Sequence, residues 1–275
     1  MFKKIHVVVA VSALFLTACG QSSSSSVESA APTVAASFPV TIENNGTSVV
    51  IPEQPDAIVS LSATATEILF AIEAGNQVIA VDDQSNFPAE APISDLSGLT
   101  PNLESIVALS PDLVVVAYDA DGIVAALTTA GIPVLVQPAA ITLDDTYTQI
   151  SELGTATGQK AKAEELGAQM KADIESAIAQ LPVEATNLTY YHELDDTLYS
   201  VTSATFVGAV YALAGLTNIA DAATGAESGY PQLSPEFIVA ANPKLIFLAD
   251  TKCCGQTAET IAQRPGFAEL SAVSS

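Results

Sequence analysis

Apolar and polar residues alternate along residues 40–51, on both sides of Asn45-Gly46. This period of two predicts a β-hairpin, because Asn-Gly is a strong turn signal between two such strands. Farther along, short apolar runs such as Ala57–Leu61 and Val78–Val81 alternate with stretches of helical periodicity. Strands and helices that alternate in this way form a parallel, doubly wound sheet. The predicted fold class is therefore α/β.

An internal repeat is the clearest long-range pattern. Residues 104–117 (ESIVALSPDLVVVA) align without a gap on residues 236–249 (EFIVAANPKLIFLA), 132 positions later, and seven of the fourteen positions are identical. Each copy predicts a short helix that begins near its Glu, a turn that contains Pro, and a strand buried on both faces. The repeat therefore predicts two equivalent α/β lobes with a site between them.

A long helical segment separates the two copies. Residues 143–181 show helical periodicity and no strand pattern, and Gly154 and Gly158 interrupt them. We therefore predict one helix that ends at about Thr157 and a second over residues 159–181. At a rise of 1.5 Å per residue the second helix is ~35 Å long, which is enough to cross from one lobe to the other.

The N-terminus has the features of an export signal. Lys3 and Lys4 precede an apolar run over residues 5–16, which is too short to span a bilayer as a stable helix. The Leu-Thr-Ala-Cys sequence that ends at Cys19 resembles the lipobox of bacterial lipoproteins, in which this Cys is lipidated and becomes the N-terminus. The alternative is an ordinary signal peptide with an incidental Cys. Residues 20–37, rich in Ser and Ala, predict a flexible tether.

These patterns give the predicted domain organisation. Lobe one has a strand after its helix that lobe two lacks, so we expect lobe two to be truncated by a strand and a helix. The predicted segments are a lipoprotein signal peptide (1–18), a Ser/Ala-rich tether with the N-terminal hairpin (19–55), an N-terminal lobe (56–158), a connecting helix (159–181) and a C-terminal lobe (182–275).

Charge and histidine content exclude several classes of partner. Without residues 1–18 the chain has 6 basic and 31 acidic residues, a net charge of −25. Such a surface repels nucleic acid and anionic lipid headgroups. His192 is then the one remaining histidine, which argues against a His-rich transition-metal site. We predict neither a cofactor nor a bound metal ion of the protein's own.

Four features, taken together, carry a resemblance to a known family. They are residues 58–69 (IVSLSATATEIL), residues 102–113 (NLESIVALSPDL), residues 230–236 (YPQLSPE) and the single long connecting helix. From Asp56 to the C-terminus the chain resembles the periplasmic-binding family that delivers cobalamin, ferric siderophores or haem to ABC importers. The resemblance implies two Rossmann-like lobes joined by one long helix, with the ligand in the cleft between them. It implies an exported, monomeric receptor for a metal chelate, with no catalytic step.

The resemblance also assigns one carboxylate in each lobe to docking. Glu104 and Glu236 fall where members of the family meet Arg residues of the permease. The repeat supports this assignment, because a symmetric permease dimer needs one matching carboxylate per lobe, and carboxylate–Arg pairing is strong and directional. The alternative is that both are simply acids near helix N-termini, where the macrodipole favours them.

Ligand contacts are predicted from the rule that open α/β sheets bind ligands at the carboxyl ends of their strands. Lys252 is the one basic residue predicted in the cleft, and a highly anionic siderophore would want more positive charge. The chain has no Trp, unlike the aromatic-rich cleft of the cobalamin-binding members, which counts against cobalamin itself. The predicted ligand-binding residues are Ser62, Gln84, Phe87, Tyr118, Tyr199, Ser203, Tyr230 and Lys252.

The adjacent Cys253 and Cys254 leave alternatives open. They would form a vicinal disulfide ring, pack as free thiols, or touch a metal chelate, and oxidation is favoured outside the cytoplasm. A competing hypothesis is an exported thiol/disulfide or hydrolytic enzyme that uses this pair. Against it, the chain has no Gly-x-Ser-x-Gly motif and offers His192 alone as a His base. A third hypothesis is a surface receptor with no transport role.

Overall fold

The computed structural model describes residues 37–274 of the chain. The predicted signal peptide, the lipidation residue Cys19 and nearly all of the tether lie outside the described residues. Among the residues that are described, no helix combines the length and the apolar character needed to cross a membrane.

The predicted hairpin is confirmed. Strand β1 (Val40–Asn44) pairs antiparallel with β2 (Thr47–Ile51). Between them, Asn45 and Gly46 have φ angles of 49° and 77°, the positive values that a two-residue hairpin turn of this kind requires.

The hairpin packs as part of the first lobe. Ile42 and Ile51 are buried in the same apolar cluster as residues of that lobe. The Asn44 side chain donates to the carbonyl oxygen of Val136 at 2.9 Å and accepts from its backbone N–H at 2.8 Å. The packed unit therefore begins before residue 56, where the sequence analysis placed the start of the lobe.

The first lobe is built on a parallel sheet. Its elements are β3 (Ile58–Leu61), α1 (Ala63–Ala71), β4 (Val78–Val81), α2 (Leu103–Ala108), β5 (Leu113–Val116), α3 (Ile123–Thr129), β6 (Val134–Val136) and α4 (Leu143–Thr157). The strand order is β4-β3-β5-β6. Every residue of β3 and β5 is buried, because helices cover both faces of the sheet. Alternate residues of β5 belong to two separate apolar clusters, one with α1 and α4 and the other with α2 and α3.

The connecting segment forms the two predicted helices. Helix α4 ends at Thr157 and is capped by Gly158, whose φ of 77° is left-handed; α5 (Lys160–Ala179) follows after one more residue. Gly154 does not interrupt α4, contrary to the prediction. A Cβ at Gly154 would overlap the side chain of Ala163, so the glycine is needed for the close approach of the two helices rather than for a break.

The second lobe repeats the topology of the first. Its elements are β7 (Thr189–Glu193), α6 (Phe206–Leu213), β8 (Thr217–Asn218), α7 (Pro235–Ala241), β9 (Leu245–Leu248), α8 (Thr251–Cys254), α9 (Ala258–Ala262) and α10 (Ser271–Ser274). The strands are parallel in the order β8-β7-β9, which corresponds to β4-β3-β5. Within the described residues β9 is an edge strand and is half-buried, whereas its counterpart β5 pairs with β6 and is fully buried.

Candidate functional site

The strand ends of lobe one surround a cavity of about 210 Å³. Three of the predicted ligand residues, Ser62, Gln84 and Tyr118, line it, and so does Gln137, which directly follows β6. Ser62 also caps helix α1, because its side chain accepts from the Ala65 N–H at 3.3 Å. This edge is where ligands of open α/β sheets bind. A contact of these three residues with a ligand stays a prediction.

A nearly buried carboxyl group also lines this cavity. Ser85 donates to the Asp82 carboxylate at 2.7 Å, which fixes its orientation. A Cβ at Gly98 would lie 2.5 Å from the other carboxylate oxygen of Asp82, so a glycine is required for the loop to pass this close. Neither Asp82 nor Gly98 was among the predicted ligand contacts. The signal for Asp82 was present, because it directly follows strand β4.

The strand ends of lobe two carry a buried ion pair that the sequence analysis did not predict. Glu193, the last residue of β7, is completely buried. The two terminal nitrogens of Arg264 donate to its carboxylate oxygens at 2.6 and 2.7 Å. Burial raises the pKa of the Glu193 carboxyl, and the Arg264 guanidinium opposes that effect. A bidentate pair of this kind holds both side chains in a fixed orientation.

A second buried carboxyl group lies beside this pair. Asp250 follows β9 by two residues and is completely buried, and both of its carboxylate oxygens lack a hydrogen-bond partner among the described residues. The repeat places Asp250 at the position of Tyr118 in lobe one. Buried polar atoms are nearly always hydrogen-bonded, so an exception calls for an explanation.

The one described histidine is held inside lobe two. His192 Nδ1 lies 3.0 Å from the hydroxyl of Tyr211, whose ring stacks on Phe247 at 4.6 Å. Burial lowers the pKa of His192, with a smaller opposing effect of Asp250. The imidazole is therefore neutral at neutral pH and serves as a hydrogen-bonding core group.

The remaining predicted ligand residues are exposed. Phe87 is 62% exposed and does not line the cavity of lobe one. Tyr199 and Tyr230 lie on two adjacent loops beyond β7, which are joined by a bridge between Tyr199 and Gln232. Ser203 is already engaged, since its N–H and hydroxyl donate to Asp221 at 2.8 and 2.6 Å. The structure thus groups the predicted residues by lobe, and their common ligand stays a prediction.

Helix α8 carries Lys252 and both cysteines in exposed positions. Cys253 and Cys254 are free thiols. A hydrogen bond with Cys253 raises the pKa of the Cys254 thiol to about 11, so this thiol is protonated at neutral pH. The vicinal disulfide and the role of Lys252 stay predictions.

The two docking candidates occupy equivalent places. Glu104 and Glu236 are exposed and lie in the first turns of α2 and α7. Those helices are capped by other residues: Asn102 accepts from the Ser105 N–H at 2.8 Å, and Ser234 caps α7 in the same way. Across residues 37–274 neither Glu side chain takes part in a hydrogen bond or ion pair. Glu236 also lines a largely apolar cavity of about 700 Å³.

Known proteins resemble this chain in sequence and in fold. It is 29% identical over 274 residues to the "Uncharacterized ABC transporter substrate-binding lipoprotein YvrC" of Bacillus subtilis (strain 168), which covers 96% of this chain and 84% of the relative. It is 32% identical over 221 residues to a "Cobalamin-binding protein" of Halobacterium salinarum (strain ATCC 29341 / DSM 671 / R1), which covers 77% of this chain and 59% of the relative.

A solved structure shows the same architecture. The periplasmic vitamin B12 binding protein BtuF of Vibrio cholerae superposes with a TM-score of 0.64 at 25% identity, over 81% of this chain and 86% of that chain. The predicted fold, two α/β lobes joined by one long helix, is thereby confirmed. Residues 58–275 match the family described as "Periplasmic binding protein", and the chain therefore belongs to the periplasmic binding protein family.

Proposed function

We propose that this protein is a lipid-anchored extracytoplasmic receptor that captures a metal chelate and delivers it to an ABC importer. The observation that carries this proposal is the pair of exposed, unpaired carboxylates at equivalent positions of the two lobes, Glu104 and Glu236, within the part of the chain that the structure describes. A symmetric permease dimer presents the same surface twice, so its receptor needs the same contact once on each lobe.

The class of ligand is supported by the relatives. The Halobacterium salinarum protein is named for cobalamin binding and the Vibrio cholerae structure for vitamin B12 binding. Cobalamin, ferric siderophores and haem are all metal chelates, and we propose one of these classes as the cargo. Ser62, Gln84 and Tyr118 would contact it from lobe one, and Tyr199 and Tyr230 from lobe two.

The anchor is proposed from the sequence and from one relative. The Bacillus subtilis relative is named a lipoprotein, and Cys19 stands in a lipobox-like sequence. A lipid on Cys19 would hold the receptor at the outer face of the cytoplasmic membrane, near its permease.

The role of Glu104 and Glu236 is electrostatic. Carboxylates that are free of intramolecular partners can pair with Arg residues of a permease without first breaking another contact. Removing one partner of a desolvated charge pair at an interface costs about 2–5 kcal/mol, so loss of both pairs should abolish productive docking.

The Cys254 thiol does not meet the chemical requirement of the competing enzyme hypothesis. A catalytic cysteine acts as a thiolate, and an activated one has a lowered pKa. The pKa of Cys254 is instead raised, to about 11. We propose that the protein performs no catalysis.

The test is to remove the two carboxylates and to measure chelate binding and stimulation of the importer separately. The double variant Glu104→Gln/Glu236→Gln should keep its affinity for the chelate within about twofold, since both residues lie outside the lobe-one cavity. It should fail to stimulate the ATPase of the reconstituted importer. The matched control is Glu175→Gln/Glu184→Gln, which removes the same two charges from exposed positions elsewhere and should stimulate normally. Full stimulation by the first double variant would overturn the docking assignment.

A further inference from the structure

The two lobes present different chemistry at the same point of their topology. In each lobe the chain reverses its direction of winding between the first strand and the third, β3 and β5 in lobe one and β7 and β9 in lobe two. This switch point is the crevice where ligands of open α/β sheets bind. The strand register places Leu61 opposite Val116 and Glu193 opposite Leu248, so Glu193 is the counterpart of Leu61.

The switch point of lobe two carries two carboxyl groups. Glu193 stands where lobe one has Leu61, and Asp250 stands where lobe one has Tyr118. Arg264 neutralises Glu193 through two hydrogen bonds. Asp250 has no such partner: it is 0% exposed, and both of its oxygens lack a hydrogen bond among residues 37–274. A buried, unpaired carboxyl group favours a positive charge or a hydrogen-bond donor nearby and repels a negative charge.

The described cations at most balance this edge and leave no surplus of positive charge. Lys160, Lys162 and Lys171 lie on the connecting helix α5. Lys244 directly precedes β9, at the opposite end of the strand from Asp250, and donates to Ser271 at 2.9 Å. Lys252, on α8 two residues after Asp250, is the one described cation at this edge without a partner. Arg264 and Lys252 therefore balance Glu193 and Asp250 in formal charge and leave no positive charge over for an anionic cargo.

Lobe one adds no positive charge. Its cavity contains the carboxyl group of Asp82 and, among the described residues that line it, no Lys or Arg side chain. Without residues 1–18 the chain has a net charge of −25, and the field of such a charge disfavours the approach of an anionic cargo.

We infer that the cargo of this receptor carries no net negative charge, and that its positive or hydrogen-bond-donating side faces the switch point of lobe two. This inference rests on the proposed function. It narrows the metal chelates to neutral or cationic ones, such as hydroxamate-type ferric siderophores and corrinoids. It excludes ferric carboxylate and catecholate complexes, and haem with its two propionates.

The test uses chelates that differ in charge and share one scaffold. Ferrioxamine B is cationic, its N-acetyl derivative is neutral and its N-succinyl derivative is anionic; aquacyanocobinamide and dicyanocobinamide form a cationic and neutral pair. Affinities for the purified receptor are measured by calorimetry at low ionic strength, with haem and ferric citrate as further anionic probes. Within the ferrioxamine or the cobinamide series, each step toward negative charge should weaken binding on the order of tenfold.

Two variants with the same charge change identify the source of the discrimination. Asp250→Asn should reduce the preference for cationic over anionic probes on the order of tenfold. Asp173→Asn removes one charge from exposed helix α5 and should leave the preference unchanged. In lobe one, Asp82→Asn tests the carboxylate of Asp82 in the same way. Its control is Ser85→Ala, which breaks the hydrogen bond between Ser85 and Asp82 but keeps the negative charge.

The outcomes separate this inference from the proposed function. If an anionic chelate binds best and the receptor then stimulates its importer, the charge inference is wrong and the function stands. If Asp250→Asn and Asp173→Asn behave alike, Asp250 is not the group that discriminates. If none of the chelates binds, the proposed function fails and the charge inference fails with it.

Discussion

At the scale of single residues, the Glu193–Arg264 pair is a buried ionic contact that ties the C-terminal segment to the sheet of lobe two. It joins the end of β7 to a residue 71 positions away, at a place where the carboxylate has no access to solvent. The pair therefore fixes the C-terminal segment against the sheet through geometry as well as through charge.

Arg264→Met should destabilise the protein by about 3–5 kcal/mol, because it leaves a buried carboxylate without its partner. Glu193→Gln/Arg264→Met should be less destabilising, since it removes the uncompensated charge as well. Urea denaturation at neutral pH measures both. As a control, Lys162→Met breaks the exposed pair with Glu73 and should change the stability little. Equal losses in the single and double variants would show that the pair is not coupled.

The redox state of Cys253 and Cys254 is a second residue-scale prediction. Successive side chains on a helix point about 100° apart, so closure of the ring requires α8 to unwind. If the pair is oxidised in its compartment outside the cytoplasm, where oxidation is favoured, the purified protein should show no reactive thiol from this pair and gain two thiols on reduction. Thiol titration and mass spectrometry, with Cys19 replaced by Ser, measure this. Two free thiols before reduction would rule out the ring.

At the scale of elements, the connecting helix is fixed to one lobe and free along much of its length. Ala163, Leu166 and Met170 pack against the core of lobe one, and Lys162 pairs with Glu73 at 2.8 Å. Among the described residues of α5, Ala163 alone is fully buried. The helix therefore acts as an extension of lobe one that carries lobe two at its end.

Such a connector predicts little movement of the lobes on binding. A continuous helix cannot absorb the φ/ψ changes of a loop hinge, so small-angle scattering with and without chelate should give nearly the same radius of gyration. Ala172→Pro, in the exposed part of α5, should kink the helix and increase the difference in radius of gyration between the free and the chelate-bound protein. Ala172→Ser should leave that difference unchanged. A contraction of several ångströms in the unaltered protein would contradict a rigid connector.

Local signals explain which elements were predictable from the sequence. Asn45-Gly46 and Gly158 occupy the positive-φ positions that their turns require, and the buried strands are continuous apolar runs. β8 has two residues, too few for a periodic pattern. The role of Gly154 depends on its distance from Ala163, which local periodicity does not contain. The Glu193–Arg264 pair joins residues that are 71 positions apart and depends on tertiary packing. For that reason it was not predicted from the sequence.

At the scale of the whole molecule, the duplication is preserved in topology and not in chemistry. The strand orders β4-β3-β5 and β8-β7-β9 correspond, and Glu104 and Glu236, which we propose for docking, occupy matching helix turns. The strand-end edges have diverged, with Leu61 and Tyr118 in one lobe opposed to Glu193 and Asp250 in the other. The proposed docking positions thus retain the symmetry of the duplication, while the strand-end edges do not.

The difference in chemistry between the strand-end edges of the two lobes bears on the orientation of the proposed cargo. A receptor with two identical lobes would hold a chelate equally well after a half-turn about the axis that relates them. Here a half-turn would exchange the hydroxyl and aromatic groups near Ser62 and Tyr118 for the carboxyl groups of lobe two, so one orientation is favoured over the other. The chelate would then reach the translocation pathway with the same face forward in every transport cycle.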